Sequence, residues 1–413
     1  MNKNAILNTK IDFAMLLAIF VAFKPSFVSY FSGSLNAVWY AGQIVGIGCI
    51  FCYLMKKKPN IVDVLVALFY IWLLLTTVIH KGAIPDYGKE VLLFSSLYLT
   101  MRYGVEKNPV TFFGCVSALL LFYTLVNTAT AIVSYPGSLF RDNQNPIFFL
   151  GGDNSSVSLY LACICFCAIS KYQRSGKLSL PLIPLVNLLI FSVVRDLGGG
   201  KVVFGLTLLG LAFLALAKRP PKKTALLILG INVALFLCLV IFNRIDFLQD
   251  IIVNVLNRDT TLTDRTVIWG ITIDKIIASP LTGYGMIDGL VFQSMLPYII
   301  GINAHNTYLM MLFDGGVALF GVFAALLVVV ASSFDSRAHP TFAYVFAVGL
   351  FAQMIRAQIE GWDVQWIFIY LSLMFLLPKI ESSVMGHLHP ERTDSSIAVS
   401  ENNITRGIDV VRE

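Results

Sequence analysis

The sequence predicts an all-α polytopic membrane protein with about twelve transmembrane helices and a large, partly helical extracytoplasmic loop. Composition is the first reason: of 413 residues, 57% are hydrophobic and only 13% are charged, whereas soluble domains are about a quarter charged. The second reason is that apolar stretches of about 20 residues, enough to cross a hydrocarbon core, recur along the chain. The third is a Lys and Arg bias that alternates between successive short connections.

Twelve apolar segments meet or approach the length needed to span a bilayer. The fourth and the last two are short or interrupted. The first follows a short basic start and has no small-residue cleavage signature, so we interpret it as a retained helix rather than a signal peptide. The segments lie at about residues 11–31, 35–54, 61–79, 88–102, 110–133, 147–169, 178–195, 201–217, 224–243, 305–331, 341–358 and 363–378.

Positive charge in the short loops predicts the orientation of the chain. One set of alternate loops contains thirteen cationic residues: Lys56, Lys57, Lys58, Arg102, Lys107, Lys171, Arg174, Lys177, Lys218, Arg219, Lys222, Lys223 and Arg337. The opposite set contains six: Lys81, Lys89, Arg141, Arg195, Lys201 and Arg356. Both termini are therefore expected in the cytoplasm, and the long loop 244–304 is expected outside. The transmembrane domain would cover residues 1–378, followed by a disordered cytoplasmic tail at 379–413.

The loop 244–304 carries two helical patterns. Apolar residues at helical spacing over 247–256 predict a helix lying on the membrane surface. A second helix is expected to begin after Thr263-Asp264 and to stop at Ser279-Pro280. It would place Arg265 in its first turn and Trp269 one turn later, at the membrane interface.

His305 marks the point where this polar loop passes into a strongly apolar segment. A histidine at the outer mouth of a membrane helix lies beside unpaired N–H groups and the positive end of the helix dipole. That environment disfavours the imidazolium, so the ring is expected to be neutral near pH 7 and able to accept a proton. The alternative is an interfacial histidine that only hydrogen-bonds water or backbone.

Several other charges are predicted on the outer side, where topology does not require them. Arg141 lies in a turn-rich loop, and Arg195 precedes three glycines that could expose backbone N–H groups to an anion. Either arginine could instead reach lipid phosphates. Asp153 lies just inside a predicted span, where ionisable groups usually face a cavity or a partner. Between the last two spans, charged residues and tryptophans could form an interfacial girdle or line a cavity: Arg356, Glu360, Trp362, Asp363 and Trp366.

The remaining signals argue against several functional classes. The net charge of +6 is explained by the positive-inside bias, so no nucleic-acid partner is expected. The five histidines are dispersed, and the sequence has no metal-ligand spacing, Walker loop or GxGxxG motif. We therefore expect neither a metal nor an organic cofactor.

Two stretches together resemble the core of the bacterial O-antigen ligase and polysaccharide polymerase superfamily. The first contains an Arg-x-x-x-Trp helix followed by a Pro-Leu-x-Gly-x-Gly turn, and the second is a His-Asn-x-Tyr-Leu helix that ends in two glycines. One departure is Asp314, where we would expect a Glu before the glycines. In this chain the residues concerned are Asp264-Arg265-Thr-Val-Ile-Trp, Pro280-Leu-Thr-Gly-Tyr-Gly, Ala304-His305-Asn306-Thr-Tyr308-Leu and Gly315-Gly316.

The resemblance implies a metal-independent, inverting membrane glycosyltransferase of the GT-C type. Its donor would be a glycan on a polyprenyl pyrophosphate at the outer face of the bacterial cytoplasmic membrane. The family pattern carries over to His305 as the catalytic residue near the acceptor hydroxyl, and to Arg265 as a pyrophosphate-contacting group. Arg195 and Arg141 match by loop position more than by sequence. The candidate pyrophosphate- or glycan-binding residues are Arg195, Arg141, Asn306, Tyr308 and Arg356.

The residue chemistry agrees with this implication. A departing pyrophosphate gains negative charge, and guanidinium groups remain charged and bind phosphate oxygens bidentately. A sugar hydroxyl is a poor nucleophile, and a neutral histidine can accept its proton.

Three activities remain open from the sequence. A polymerase extends another lipid-linked repeat unit, a ligase transfers finished polymer to lipid A core, and a transporter would only flip the lipid-linked glycan. We favour the polymerase. A paired-halves pattern with broken helices, typical of secondary transporters, is not evident. Expected partners are the lipid-linked donor, the glycan acceptor, membrane lipid and a chain-length regulator.

Overall fold

The computed structural model describes residues 13–142, 145–216, 223–242, 265–295, 303–361 and 364–388. Sixteen α-helices occur in these ranges, and α10 continues as a π-helical turn over Leu237–Ile241. They are α1 Phe13–Ala22, α2 Phe27–Phe31, α3 Gly33–Leu54, α4 Ile61–Ile79, α5 Ile84–Lys107, α6 Pro109–Val133, α7 Asp153–Ser175, α8 Leu182–Val194, α9 Gly198–Leu216, α10 Thr224–Phe236, α11 Arg265–Ala278, α12 Gly289–Ser294, α13 Thr307–Asp335, α14 Tyr344–Arg356, α15 Val364–Phe375 and α16 Leu377–Leu388.

Seven helices in the described part of the chain are long and apolar enough to cross a membrane, namely α3, α4, α6, α7, α9, α10 with its π-helical turn, and α13. The bent pair α15 and α16, which meet at 62°, makes eight if it is one broken span. Three more apolar helices are shorter, at Phe13–Ala22, Leu182–Val194 and Thr341–Arg356. The polytopic helical class is confirmed. The count of twelve is not confirmed by length and composition, although each predicted segment contains at least part of a helix.

Local sequence explains where several helices begin. The Asn60 side chain accepts from the Asp63 backbone N–H at 2.9 Å, and Asp63 accepts from the Asn60 N–H at 3.0 Å, which forms a capping box at the start of α4. Asn108 caps α6, whose first residue is Pro109. Asn306 caps α13, where its Oδ1 accepts from the Tyr308 and Leu309 N–H groups at 3.0 Å each. These caps satisfy N–H groups that would otherwise lack partners at the membrane surface.

The two glycine motifs pack into one another at a break in α13. Gly316 has φ 64° and ψ −167° inside this helix, which interrupts its hydrogen bonding. The Tyr284 and Gly285 N–H groups donate to the Phe313 and Asp314 carbonyls, each at 2.8 Å. A Cβ on Gly316 would lie 2.3 Å from the Leu281 carbonyl, so only glycine permits this approach.

Helix α4 shows which parts of the chain lie at opposite ends of the helical bundle. Its first turn follows Lys58, while its C-terminal His80 lies 3.3 Å from the Thr282 hydroxyl through Nε2. Near its middle, the Trp72 Nε1 donates to the Gly315 carbonyl at 2.9 Å. With 19 residues, α4 separates its two ends by about 28 Å. The Pro280–Gly285 turn and the Lys57-Lys58 loop therefore lie near opposite ends.

Three details depart from the sequence-based expectations. A small antiparallel sheet interrupts the all-α pattern, with β1 Phe140–Asp142, β2 Asn145–Phe148 and β3 Gly151–Gly152 in that order. The beginning of the expected disordered tail is helical as far as Leu388, because Ile380 and Val384 of α16 are buried at helical spacing. The predicted surface helix at 247–256 lies outside the described residues.

Candidate active site

His305 lies two residues before α13, in a tight turn. Its backbone has φ 46°, and its N–H donates to the Asn303 side-chain oxygen at 2.7 Å. Asn and Asp side chains commonly close such turns because their oxygen can substitute for a backbone carbonyl. The cap residue Asn306 follows immediately. The imidazole is thus presented from the ordered N-terminus of a helix.

The protein environment lowers the pKa of His305 to about 4. Burial is the main cause, and the positive charge of Arg265 is the second. Both effects disfavour the imidazolium, so the ring is neutral near pH 7. Within the described residues the imidazole has no hydrogen-bond partner. The electrostatic effect also shows that His305 and Arg265 are close enough to interact.

The segment after α14 joins the beginning of α13 through a row of backbone carbonyls. The Ala357 carbonyl accepts from the Thr307 N–H at 2.9 Å, and the Gln358 carbonyl accepts from the Asn306 Nδ2 at 2.8 Å. The Thr307 hydroxyl is within hydrogen-bond distance of the Glu360 and Gly361 carbonyls. Residues 357–361, which we call the carbonyl segment, thus fix the helix start that carries His305.

Helix α11 approaches this cluster with two side chains one turn apart. The Arg265 Nη1 donates to the Ile359 carbonyl of the carbonyl segment, while its Nη2 lies 3.8 Å from the Glu360 Oε1. Trp269 donates through Nε1 to the Ala304 carbonyl at 2.9 Å. Residues i and i+4 share one helix face, which explains how α11 contacts both the carbonyl segment and Ala304. Trp269 is 1% exposed, so its predicted position at the membrane interface is wrong.

Arg356 ends α14 and is buried against α7. Its Nη1 donates to the Ser158 hydroxyl at 2.8 Å, and its Nη2 donates to the Asn154 carbonyl at 2.5 Å. The charges of Glu360 and Arg265 both act on the Arg356 guanidinium. The guanidinium therefore lies between the first turns of α7 and the Arg265 cluster.

Arg195 is bound by the same end of α7. Its Nε and Nη2 donate to the two Asp153 oxygens at 3.0 and 3.2 Å, and its Nη1 donates to the Gly137 carbonyl at 3.3 Å. The guanidinium also lies over the Phe148 ring, 4.7 Å from its centroid. The glycines after Arg195 form the first turn of α9 rather than a loop, and the anion nest predicted there stays a prediction.

The structure separates the sequence-predicted residues into three groups. His305 and Arg265 interact, and Arg356 and Arg195 extend the cluster along the start of α7. The side chains of Asn306 and Tyr308 point inward: Asn306 is fully buried, and the Tyr308 hydroxyl donates to the Met354 carbonyl at 3.0 Å. Arg141 lies exposed on β1, and no described contact joins it to the other residues.

Glu360 and Asp153 are the carboxylates that compensate these arginines. The sequence placed Asp153 where a partner was expected, and it grouped Glu360 with Arg356, but it assigned neither to a specific arginine. The backbone carbonyls at 357–361 gave no sequence signal, because every residue type carries one. A neutral imidazole next to a cationic cluster can accept a proton and stabilise a nearby polyanion.

The fold defines an integral membrane protein, and the cluster brings a neutral imidazole together with several guanidinium groups. Residues 159–324 match the family model described as O-Antigen ligase. Over these residues the chain is similar to the O-antigen ligase family, which confirms the resemblance of the motifs. Both motifs, Arg195, Arg265 and His305 lie within the match. No curated protein matches the chain.

Proposed function

We propose that this protein is an inverting glycosyltransferase that polymerises polyprenyl-pyrophosphate-linked oligosaccharide repeat units. The reaction would take place at the outer face of the bacterial cytoplasmic membrane, with both termini in the cytoplasm. One observation carries the proposal: the carbonyl segment holds both the helix start that presents His305 and the guanidinium of Arg265. This supports the proposal, because a group able to accept a proton lies near a cation able to bind phosphate.

The reaction needs these two groups at the same moment. Arg265 binds the diphosphate of the donor, and the acceptor sugar hydroxyl lies next to His305. The acceptor oxygen forms a bond to the anomeric carbon as the bond to the diphosphate oxygen breaks. The electron pair leaves with the diphosphate, and the hydroxyl proton passes to the His305 imidazole. Preorganised charge at the leaving group typically contributes a few kcal/mol per donor.

Donor binding would also tune the base. A pKa of about 4 keeps His305 neutral, but a general base works best with a pKa near the working pH. One cause of the low pKa is the charge of Arg265. A bound diphosphate offsets that charge, so the basicity of His305 rises when the donor is in place.

We assign supporting roles to the candidate residues other than His305 and Arg265. Asn306 and Tyr308, named from the motif as glycan-binding candidates, are positioning residues, because their polar atoms bind protein backbone. Arg195 and Arg356 supply positive charge around the α7 end and fix its position. Arg141 is exposed, and we propose that it contacts the glycan or the lipid phosphates from β1.

An O-antigen ligase is the second candidate, and the family match is compatible with either activity. A ligase uses the same donor chemistry but transfers finished polymer to lipid A core. A chain-length regulator is a further predicted partner of the polymerase. The family match gives no support to a transporter, which would form no glycosidic bond.

The decisive experiment uses purified full-length protein with radiolabelled lipid-linked repeat units. Incubation with repeat units alone should yield longer lipid-linked chains. A product that forms only after lipid A core is added would replace the polymerase with the ligase. Label that crosses vesicle membranes without any new glycosidic bond would overturn the enzyme proposal altogether.

A further inference from the structure

A large groove lies at the end of the bundle opposite to His305, between α3, α4 and α5. Its volume is about 550 Å³. It extends along α5 from Arg102 to Val91, which is about 16 Å of helix. Because α4 separates the Lys58 end from the Thr282 end, this groove is distinct from the candidate active site.

The body of the groove is apolar. Its walls are formed mainly by aliphatic and aromatic side chains of three helices, with Ala67 on α4 and Ser95 on α5 as small residues that leave room. Helix α3 exposes much of its surface, so this side of the groove borders the region where lipid chains lie. The apolar lining includes Ile47, Phe51, Leu54, Val66, Val91 and Phe94.

The mouth of the groove is cationic. Lys57 and Lys58 line it and are exposed, and Arg102 lies beneath them with 5% exposure. The Arg102 Nη2 donates to Asp63 at 3.0 Å, and the Tyr98 hydroxyl donates to the same carboxylate at 2.7 Å. Asp63 and Glu106, which also pairs with Lys379, are two carboxylates against four cations, so the mouth keeps a net positive charge.

Arg102 is also incompletely bonded. Its Nη1 is buried and has no hydrogen-bond partner in the part of the chain that the structure describes. The Glu106 Oε1 lies 3.8 Å from it, beyond hydrogen-bond distance, and Glu106 also pairs with Lys379. A buried cation with an unpaired donor is costly. An anion held at the mouth would reduce that cost electrostatically.

We propose that this groove binds an anionic glycerophospholipid, with an acyl chain along the apolar wall and the phosphate at Lys57, Lys58 and Arg102. The groove combines an apolar slot open towards the bilayer with a net positive mouth at the membrane surface. Basic residues near a bilayer surface attract acidic headgroups, whereas a zwitterionic headgroup has no net charge for them to attract. The lipid phosphate would balance the cations at the groove mouth, on the membrane face that the loop bias predicts to be cytoplasmic.

Binding is tested on purified full-length protein by native mass spectrometry and by partition of spin-labelled lipids in vesicles. We compare phosphatidylglycerol with phosphatidylcholine. The double variant Lys57→Gln/Lys58→Gln should lower the affinity for phosphatidylglycerol by about 10- to 30-fold, since each surface cation contributes about fivefold. Its matched control is Lys81→Gln/Lys89→Gln, which removes two exposed lysines at the other end and should leave binding unchanged.

A second pair of variants tests the apolar slot. Ala67→Trp fills the groove and should also weaken binding of phosphatidylglycerol. Val64→Trp lies on the same helix but outside the groove lining, and it should have no effect. Both positions are exposed, so neither change disturbs the core.

Four results would overturn the proposal. Equal binding of phosphatidylcholine would show that the cationic mouth is irrelevant. Inorganic phosphate that binds equally well to the Ala67→Trp variant would indicate a site for a free anion. Lipid binding that appears only after residues 389–413 are deleted would make the tail the occupant. Affinity that all the variants leave unchanged would place the lipid elsewhere.

Discussion

Arg265 and Arg195 both belong to the cluster around His305 and the start of α7, but their charges are compensated differently. Arg195 donates to both oxygens of Asp153, at 3.0 and 3.2 Å. Arg265 bonds a carbonyl of the 357–361 segment, and the Glu360 oxygen is 3.8 Å away. A bidentate ion pair is the geometry that a guanidinium would also form with a phosphate.

The difference separates a structural arginine from one suited to substrate. A diphosphate at Arg195 would have to displace a carboxylate in an ideal geometry. At Arg265 the Glu360 oxygen is 3.8 Å from Nη2, so this carboxylate does not form the bidentate contact that a phosphate would have to replace. The sequence named both residues as candidates and matched Arg265 to the family pattern more securely than Arg195, and the different carboxylate geometry agrees with that order.

The largest expected effect comes from His305→Ala. Loss of the proton acceptor should lower glycan transfer by about 10²- to 10⁴-fold, while the protein accumulates normally, because the imidazole has no hydrogen bond to a described residue. Transfer is measured with purified protein and labelled lipid-linked repeat units. His80→Ala, at the end of α4, is the control and should retain activity. Near-normal polymer from the His305 variant would remove the mechanism.

The substitutions Arg265→Lys and Arg195→Lys test whether Arg265 binds substrate while Arg195 is structural. Lysine retains the charge but lacks the planar pair of donors. We expect Arg265→Lys to reduce transfer by about 10- to 100-fold, because the diphosphate loses a bidentate contact. Arg195→Lys should change transfer less than threefold and act mainly on thermal stability. The opposite ranking would make Arg195 the donor-binding residue.

The backbone packing that positions His305 can be tested at Gly316, where α13 is interrupted. Gly316→Ala places a Cβ against the Leu281 carbonyl in a backbone conformation that alanine avoids, at a cost of about 3 kcal/mol or more. The midpoint temperature of thermal unfolding in detergent should fall markedly. Gly321→Ala in the same helix is the control, because a Cβ there meets nothing within 4 Å. Equal stability of the two variants would mean that the two glycine motifs do not depend on their close packing.

Stability should distinguish the two carboxylates. Asp153→Asn leaves Arg195 partly buried without its ion pair and should destabilise the protein by about 3 kcal/mol. Glu360→Gln removes a longer contact, at 3.8 Å without a bidentate hydrogen bond, and should cost less than Asp153→Asn. The measurement is again thermal unfolding in detergent. A larger effect at Glu360 would show that the pair with Arg265 is the structural one.

The smallest expected change is in the pH dependence of glycan transfer. Because burial and Arg265 lower the pKa of His305 to about 4, the ring is already neutral across pH 6–8. We expect kcat/KM, which reports the free enzyme, to show no His305 titration there and to fall only as the pH approaches 4. Arg265→Gln should move this acid limb upward. An acid limb near 6.5 in the unaltered protein would show that the imidazole is solvated like a free histidine.

Several features followed from the sequence because they depend on local chemistry or on one-dimensional patterns. Long apolar segments must be helical in a bilayer, since no water is present to satisfy backbone groups. The helix that contains Arg265 ends at Ala278, just before the predicted stop at Ser279-Pro280. The motif around His305 predicted a helix start, and Asn306 caps α13 as such a residue should.

Only the tertiary structure decided which distant groups meet. Arg265 and Ile359 are 94 residues apart, and Asp153 and Arg195 are 42 apart, so no local pattern could pair them. Trp269 shows the same limit: a tryptophan beside a membrane suggests an interface, yet packing directs it to the Ala304 carbonyl. Sequence specified the membrane class and the types of reactive group, because these depend on residue chemistry. Folding determined their neighbours, because the contacts that set charge compensation and pKa lie between helices.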